Sequence, residues 1–203
     1  MEFTMEKKKI KAIFFDIDDT LYATTRFTEQ ARYNAMKAMT QIGLRMEVEA
    51  LFHELKEIIH EFSSNFGQHF DKLLLRIPAE SYAGINKAIL VAAAVVAYHD
   101  TKHTCFRPFP HVQEVMEYLL RFSCLKGVIT DGLEIKQSEK LIRLGLYRYF
   151  SPQAIFISDQ IGISKTNPKI YQYVCHRLKL SPHEMLYVRS EEHTSELQSR
   201  QSI

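Results

Sequence analysis

A short, mostly β-branched and aromatic run, IKAIFF at 10–15, stops at the acidic turn DIDDT at 16–20. A second such run, LKGVIT at 125–130, stops at Asp131-Gly132. Short, nearly continuous apolar runs bounded by turn residues read as strands buried on both faces of a sheet. Beyond the second run, the pattern alternates. Glu134 to Leu144 has helical spacing with Gly145 as its C-terminal cap, Ala154 to Ser158 (AIFIS) reads as a strand, Pro168 to Leu180 as a helix and Met185 to Val188 (MLYV) as a strand. Strands alternating with helices predict βαβ units around a parallel sheet.

The interval between the first two strands is too long for a simple crossover. Roughly a hundred residues separate Phe15 from Leu125, whereas a βαβ connection needs a dozen or so residues and a helix. Four segments within it carry helical apolar spacing. They are Phe27, Ala31, Ala35, Ala38, Met39 and Ile42; Val48, Leu51, Phe52, Leu55, Ile59 and Phe62; Phe70, Leu73, Leu74 and Ile77; and the run Ala88 to Tyr98. They predict an inserted four-helix bundle over 22–104, with Ala88 to Tyr98 as a buried helix. Arg107-Pro108-Phe109-Pro110 forms a stiff return before a further helix over 112–122.

Composition narrows the class. With 46% hydrophobic residues and a formal charge of +2, the chain suits a globular protein with a real core and a balanced surface. Nothing in that balance points to a nucleic-acid or membrane partner. Lys7-Lys8-Lys9 reads as the solvated start of the first strand. The longest apolar run, AILVAAAVVAY, falls short of the ~20 residues of a membrane span. Cys105, Cys124 and Cys175 are odd in number and widely spaced, which predicts free thiols in a reducing compartment. No signal peptide precedes the first strand, so a cytoplasmic location is expected.

Chemistry concentrates at the strand ends. Residues two apart on a strand share a face, so Asp16 and Asp18 emerge together. Paired carboxylates repel unless a cation or a shared proton compensates, and all-oxygen ligands favour Mg2+. An Asp-rich turn can also simply cap a helix. Thr130 ends the second core strand, and Lys165 lies in the loop GISKTNPKIY; each alone reads equally well as a turn residue or a solvated charge. Together, in this order, the four match what phosphoryl transfer requires: a nucleophile, an acid/base, a hydrogen-bond donor and a positive charge around a metal-bound phosphate.

These segments resemble the haloacid dehalogenase superfamily of phosphohydrolases. FDIDDT is similar to its first motif (Asp-x-Asp-x-Thr), VITDG to its second and GISKTNPKIY to its third, while the helical insert looks like the cap of the dehalogenase/phosphoglycolate-phosphatase branch. A narrower resemblance runs through IKAIFFDIDDTLY, FSSNFGQHFDKLL, AYHDTKHTCFRPFP and VITDGLEIKQSEKLIRLGL. It is to an archaeal group of these hydrolases in which some members are named glyceraldehyde 3-phosphate phosphatase. Thr166 departs from the pattern, since a Pro commonly follows the motif lysine; Lys165 itself stays in place.

The resemblance implies an α/β fold, with a Rossmann-like parallel-sheet core over 1–21 and 105–188 and the cap over 22–104. It implies that Asp16 attacks phosphorus to form an aspartyl-phosphate, and that Asp18 protonates the leaving alcohol and then activates water. The Asp18 pKa would be drawn toward the working range by adjacent charges. Thr130 would hold a phosphoryl oxygen, Asp131 would join Thr130 and Lys165 in binding substrate, and Lys165 would offset developing charge and anchor Asp16. Mg2+ would sit on the Asp16 carboxylate, the Asp18 main-chain carbonyl and a carboxylate of a fourth motif, with Asp19 and Thr20 supporting the loop. A small phosphorylated metabolite, a triose or sugar phosphate, is the implied substrate. His69, His99 and Lys102 are polar residues in or beside the cap that could face it.

The fourth motif should follow MLYV with Gly-Asp, and positions 189 and 190 are Arg and Ser. Arg189 to Ser199, RSEEHTSELQS, instead resembles the translation of a common short-read sequencing adapter. The expectation is a native frame ending at Val188, a non-native tail over 189–203, a C-terminally truncated core and impaired activity. The alternatives are a phosphomutase of the same fold, a carbon–halogen hydrolase (which has no use for Asp18), a phospho-accepting receiver (which would lack the helical insert) and a non-catalytic fragment.

Overall fold

A computed structural model describes residues 9–190. Of the expected tail, Arg189 and Ser190 fall within this span, and the rest lies outside the described residues. Four strands form one sheet: β1 (Ala12–Phe15), β2 (Leu125–Thr130), β3 (Ile155–Ile157) and β4 (Met185–Val188). All pairings are parallel and the strand order is β3-β2-β1-β4. The chain steps from β1 through β2 to β3, then returns to the far side of β1. The reversal between β1 and β4 is a topological switch point, and ligands of open α/β sheets bind at the carboxyl ends of strands beside such a point. Phe15 is level with Val128 on one side and Val188 on the other, so the carboxyl end of β1 is flanked on both sides.

The inner strands β1 and β2 bury both faces, whereas the edge strand β4 is partly exposed, with Leu186 47% exposed. Ala12, Phe14, Val128 and Ile129 are wholly inaccessible to solvent. Phe14 packs against Phe156 with ring centroids 6.1 Å apart. This ring lies where β2 has no side chain: a Cβ on Gly127 would stand 2.4 Å from Phe14 Cε1 and 2.4 Å from the Ala154 carbonyl oxygen. The glycine inside the strand is therefore a packing requirement.

By their internal contacts the described residues divide into two compact units: those up to Thr24 together with those from Arg107 onward, and Thr25–Phe106. The sequence put these boundaries at 22 and 104. The second unit is helical, with α1 (Thr24–Gln41, entering from the first unit), α2 (Val48–Phe62), α3 (His69–Arg76) and α4 (Lys87–Cys105). Its core joins Met36 and Met39 of α1, Leu51, Leu55 and Ile58 of α2, Leu73 and Leu74 of α3, and Leu90 and Ala94 of α4. Asn86 caps α4 by accepting the Ala88 N–H at 2.9 Å. The apolar run 88–98 is not the fully buried helix that its composition suggests. Leu90 and Ala94 are fully buried, whereas Ile89 and Val96 are 54% and 58% exposed. Four residues apart, Leu90 and Ala94 share one stripe, and only that stripe packs.

In the sheet unit, α5 (Val112–Leu119), α6 (Glu134–Arg143), α7 (Ser158–Ile161) and α8 (Lys169–Leu178) connect the strands. Gly145 ends α6 as expected. It has φ +68°, its N–H reaches the Ile142 carbonyl at 2.9 Å and the Leu146 N–H reaches that of Leu141 at 3.0 Å. That pair of bonds is a Schellman cap. The short helix α7, directly after β3, was not anticipated. Among the described residues no helix is long and apolar enough to cross a membrane.

Candidate active site

Asp16 follows the last residue of β1. Its N–H continues the ladder to the Val188 carbonyl at 2.9 Å, and its side chain is completely buried. One carboxylate oxygen accepts the Ile17 N–H at 2.9 Å and the other faces Lys165 Nζ at 2.5 Å. A carboxylate with no solvent is tolerable only with such an ammonium and hydrogen bond. The lysine reaches it from the loop between α7 and α8. That loop is tied down by Asp131, whose carboxylate accepts from the Lys165 N–H at 3.2 Å and from the Ser164 hydroxyl at 3.3 Å. The Asp131 side chain thus acts on the loop that carries Lys165.

Thr130, the last residue of β2, is also fully buried, and its Oγ1 has no hydrogen-bond partner among the described residues. A buried hydroxyl left in this state costs about 1–3 kcal/mol. Gly132, two residues on, has φ +126°, a conformation that side chains disfavour. A Cβ there would lie 2.6 Å from Gln137 Nε2.

Asp18 leaves the sheet at a sharp turn in which Asp19 adopts φ 52°. Its carboxylate is surrounded by donors from two elements. Lys140 Nζ is 2.6 Å from Oδ1 and 2.7 Å from Oδ2. Thr24 Oγ1 donates to Oδ1 at 2.7 Å, Tyr22 OH to Oδ1 at 3.2 Å and Gln137 Nε2 to Oδ2 at 3.1 Å. Burial pushes the Asp18 carboxyl up. The Lys140 charge, with hydrogen bonds from Lys140, Thr24 and Gln137, outweighs burial and holds it below the ordinary carboxylate range. This is the reverse of the direction expected from the sequence, because the nearest charge is a cation that the motifs did not announce. Burial and then the neighbouring Asp18 charge push the Tyr22 phenol up, keeping it a donor.

A haloacid dehalogenase-like hydrolase family profile matches residues 10–188. The chain belongs to the haloacid dehalogenase-like hydrolases. It is 45% identical over 181 residues to the glyceraldehyde 3-phosphate phosphatase of Methanopyrus kandleri, a match covering 88% of this chain and 75% of that protein. It is 39% identical to the Pyrococcus furiosus protein of the same name, covering 89% and 72%. Among solved structures it is similar to a Thermotoga maritima chain assigned as a β-phosphoglucomutase, with a TM-score of 0.67, 18% identity and coverage of 96% and 82%. That likeness is one of fold. As a haloacid dehalogenase-like hydrolase the chain is an enzyme with a Rossmann-like sheet.

Phosphatases of this superfamily generally use Mg2+. The Asp16 carboxylate and the Asp18 main-chain carbonyl are hard oxygen donors at the switch point. Mg2+ takes one or two carboxylates and completes its shell with water and substrate phosphate, so these donors fit it in kind. They are few: among the described residues no group of three His, Cys, Asp or Glu is arranged to hold a metal. The Asp18 carboxylate is committed to Lys140. Beyond β4 stand Arg189 and Ser190, and the Ser190 N–H donates to Thr20 Oγ1 at 2.9 Å. Glu191 and Glu192 lie outside the described residues.

His69, His99 and Lys102 belong to the helical unit, where each has a local contact. His69 Nε2 is 2.9 Å from the Ser63 carbonyl, His99 meets the Tyr98 ring edge-on, and Lys102 Nζ lies over that ring at 5.6 Å. Gln137, Lys140, Tyr22 and Thr24 were missed. The signal for the first two was weak but present: a Gln and a Lys three apart on the helix leaving the second motif share one face.

Proposed function

We propose that the chain is a Mg2+-dependent phosphomonoester hydrolase, acting in the cytoplasm on a small phosphorylated metabolite through an aspartyl-phosphate. One observation carries this reading: the wholly buried Asp16 carboxylate paired with Lys165, two residues from an Asp18 that accepts hydrogen bonds on both oxygens. An acid so buried, at the end of a central strand, has little structural use, and its ammonium partner balances the charge that a nucleophilic carboxylate carries. The relatives named glyceraldehyde 3-phosphate phosphatase favour a triose or sugar phosphate.

An Asp16 oxygen attacks phosphorus as the bond to the ester oxygen breaks, and Asp18, ionised at rest, passes to the departing alkoxide the proton that a phosphate monoanion brings into the site. Water then attacks phosphorus, giving a proton to Asp18, and the bond to Asp16 breaks to release phosphate and restore the carboxylate. Thr130 Oγ1, without a partner among the described residues, donates to a phosphoryl oxygen, and Lys165 balances the charge that builds there. The Asp16 carboxylate and the Asp18 main-chain carbonyl would hold Mg2+, which when bound would further neutralise the phosphate. With Arg189 and Ser190 after β4 instead of the acid that the resemblance implies there, this chain would bind the ion weakly and turn over slowly.

The test is release of inorganic phosphate from triose phosphates by the purified chain, with and without Mg2+, beside Asp16→Asn. Turnover that needs Mg2+ and disappears in the variant supports the reading. Turnover that survives Asp16→Asn overturns the nucleophile, and transfer of phosphate between sugar positions without release to water makes the protein a mutase.

A further inference from the structure

We infer that Lys140 is the positioning residue for Asp18, acting with Gln137 to fix the carboxylate in the orientation from which it exchanges protons with the leaving group and water. The inference rests on the phosphatase reading above and assigns residues outside the four motif positions. An ionised carboxylate has about four lone-pair sites, and Asp18 receives five hydrogen bonds: from Lys140 to each oxygen, from Thr24 and Tyr22 to Oδ1, and from Gln137 to Oδ2. Thr24 and Tyr22 come from the chain just beyond Asp18 and bind one oxygen only, which leaves the carboxylate free to swivel about that atom. The contacts that span both oxygens, Lys140 and Gln137, come from α6, well over a hundred residues away in sequence.

The seat itself is held. Lys140 lies over the Tyr22 ring at 6.0 Å, so the ammonium touches both the carboxylate and one of its other donors. The Gln137 amide also donates to the Asp131 carbonyl at 2.7 Å, which fixes its orientation, because a flipped amide would set oxygen against two acceptors. Gln137 is nearly fully buried and its Oε1 has no partner among the described residues. A glutamine placed only to fill the core would not leave its acceptor bare while spending its amide group on Asp18 and the second motif. Lys140 and Asp18 remain 19% and 23% exposed at the side chain, so the pair stays within reach of a ligand.

A positioning role separates two leaving groups. An alkyl alkoxide must be protonated as it departs, whereas nitrophenolate leaves unassisted. The experiment compares the parent chain with Lys140→Met, Lys140→Arg and Asp16→Asn on glycerol phosphate and on p-nitrophenyl phosphate. It reads kcat and KM for the first, and the pre-steady-state burst of nitrophenolate for the second. Lys140→Met should lower kcat on the alkyl ester about 10- to 100-fold, the cost of misplacing a reacting group by an ångström. KM should stay within about twofold and the burst rate within about threefold, with Lys140→Arg recovering most of the loss. Equal losses on both esters, or none on either, overturn the inference and leave the phosphatase reading standing. If Asp16→Asn retains the activity, or the parent releases neither product, the phosphatase reading fails and the inference falls with it. Thermal unfolding of each variant separates a misplaced acid from an unfolded chain.

Discussion

Lys165 Nζ lies 2.5 Å from Asp16 Oδ2, and the carboxylate it faces is wholly out of contact with solvent. Removing one partner of such a pair strands the other charge, which typically costs about 3–5 kcal/mol, whereas removing both costs far less. Lys165→Met should therefore lower the unfolding free energy by about 3 kcal/mol or more. Adding Asp16→Asn to it should restore most of that loss. Urea unfolding of the two single variants and the double variant measures the coupling; additive effects would show that the pair is not mutually dependent.

Thr130 makes the opposite prediction for stability. Its Oγ1 is buried and unpartnered among the described residues, so the hydroxyl costs the fold rather than helping it. Thr130→Val keeps the shape and removes the unsatisfied group. The variant should be as stable as the parent, or more so by about 1 kcal/mol. Phosphate or vanadate, which should raise the parent's melting temperature, should stabilise the variant much less. A loss of stability without ligand would mean that the hydroxyl has a structural partner.

At Gly132 conformation and space converge. Its φ of +126° disfavours any side chain, and a Cβ would meet the Gln137 amide at 2.6 Å. Gly132→Ala should cost about 1–3 kcal/mol in backbone strain. It should also move the amide that holds Asp18, lowering alkyl phosphate turnover by more than the loss of folded protein explains. Turnover per folded molecule, taken from activity and circular dichroism on one sample, checks this.

The parts of the site legible in the sequence are those that end strands. β2 and β4 have the predicted bounds and β1 starts two residues later than read, because a short continuous apolar run bounded by turn residues announces a strand. Asp16, Thr130 and Lys165 follow from those runs and from their resemblance to known motifs. Lys140 and Gln137 do not, since they meet Asp18 across separations of 122 and 119 residues. No local pattern says which polar residue of a helix turns inward. The run 88–98 misled for a related reason: composition counts apolar residues, while packing uses only the stripe that Leu90 and Ala94 share.

The Asp18 seat also predicts an acid-dependent stability. Burial raises the Asp18 pKa, and Lys140, Thr24 and Gln137 together bring it below the ordinary value of 3.8. A carboxyl whose folded pKa is depressed stabilises the fold above its unfolded pKa and loses that contribution as pH falls through the folded one. Lys140→Met leaves burial without its main opponent, so the variant gives up this contribution at neutral pH and has less to lose in acid. With EDTA present to exclude divalent ions, the difference in urea midpoint between parent and Lys140→Met should be largest near neutrality. It should shrink as pH drops below the ordinary carboxylate range. A difference independent of pH would mean that Lys140 contributes packing against Tyr22 rather than charge opposite Asp18.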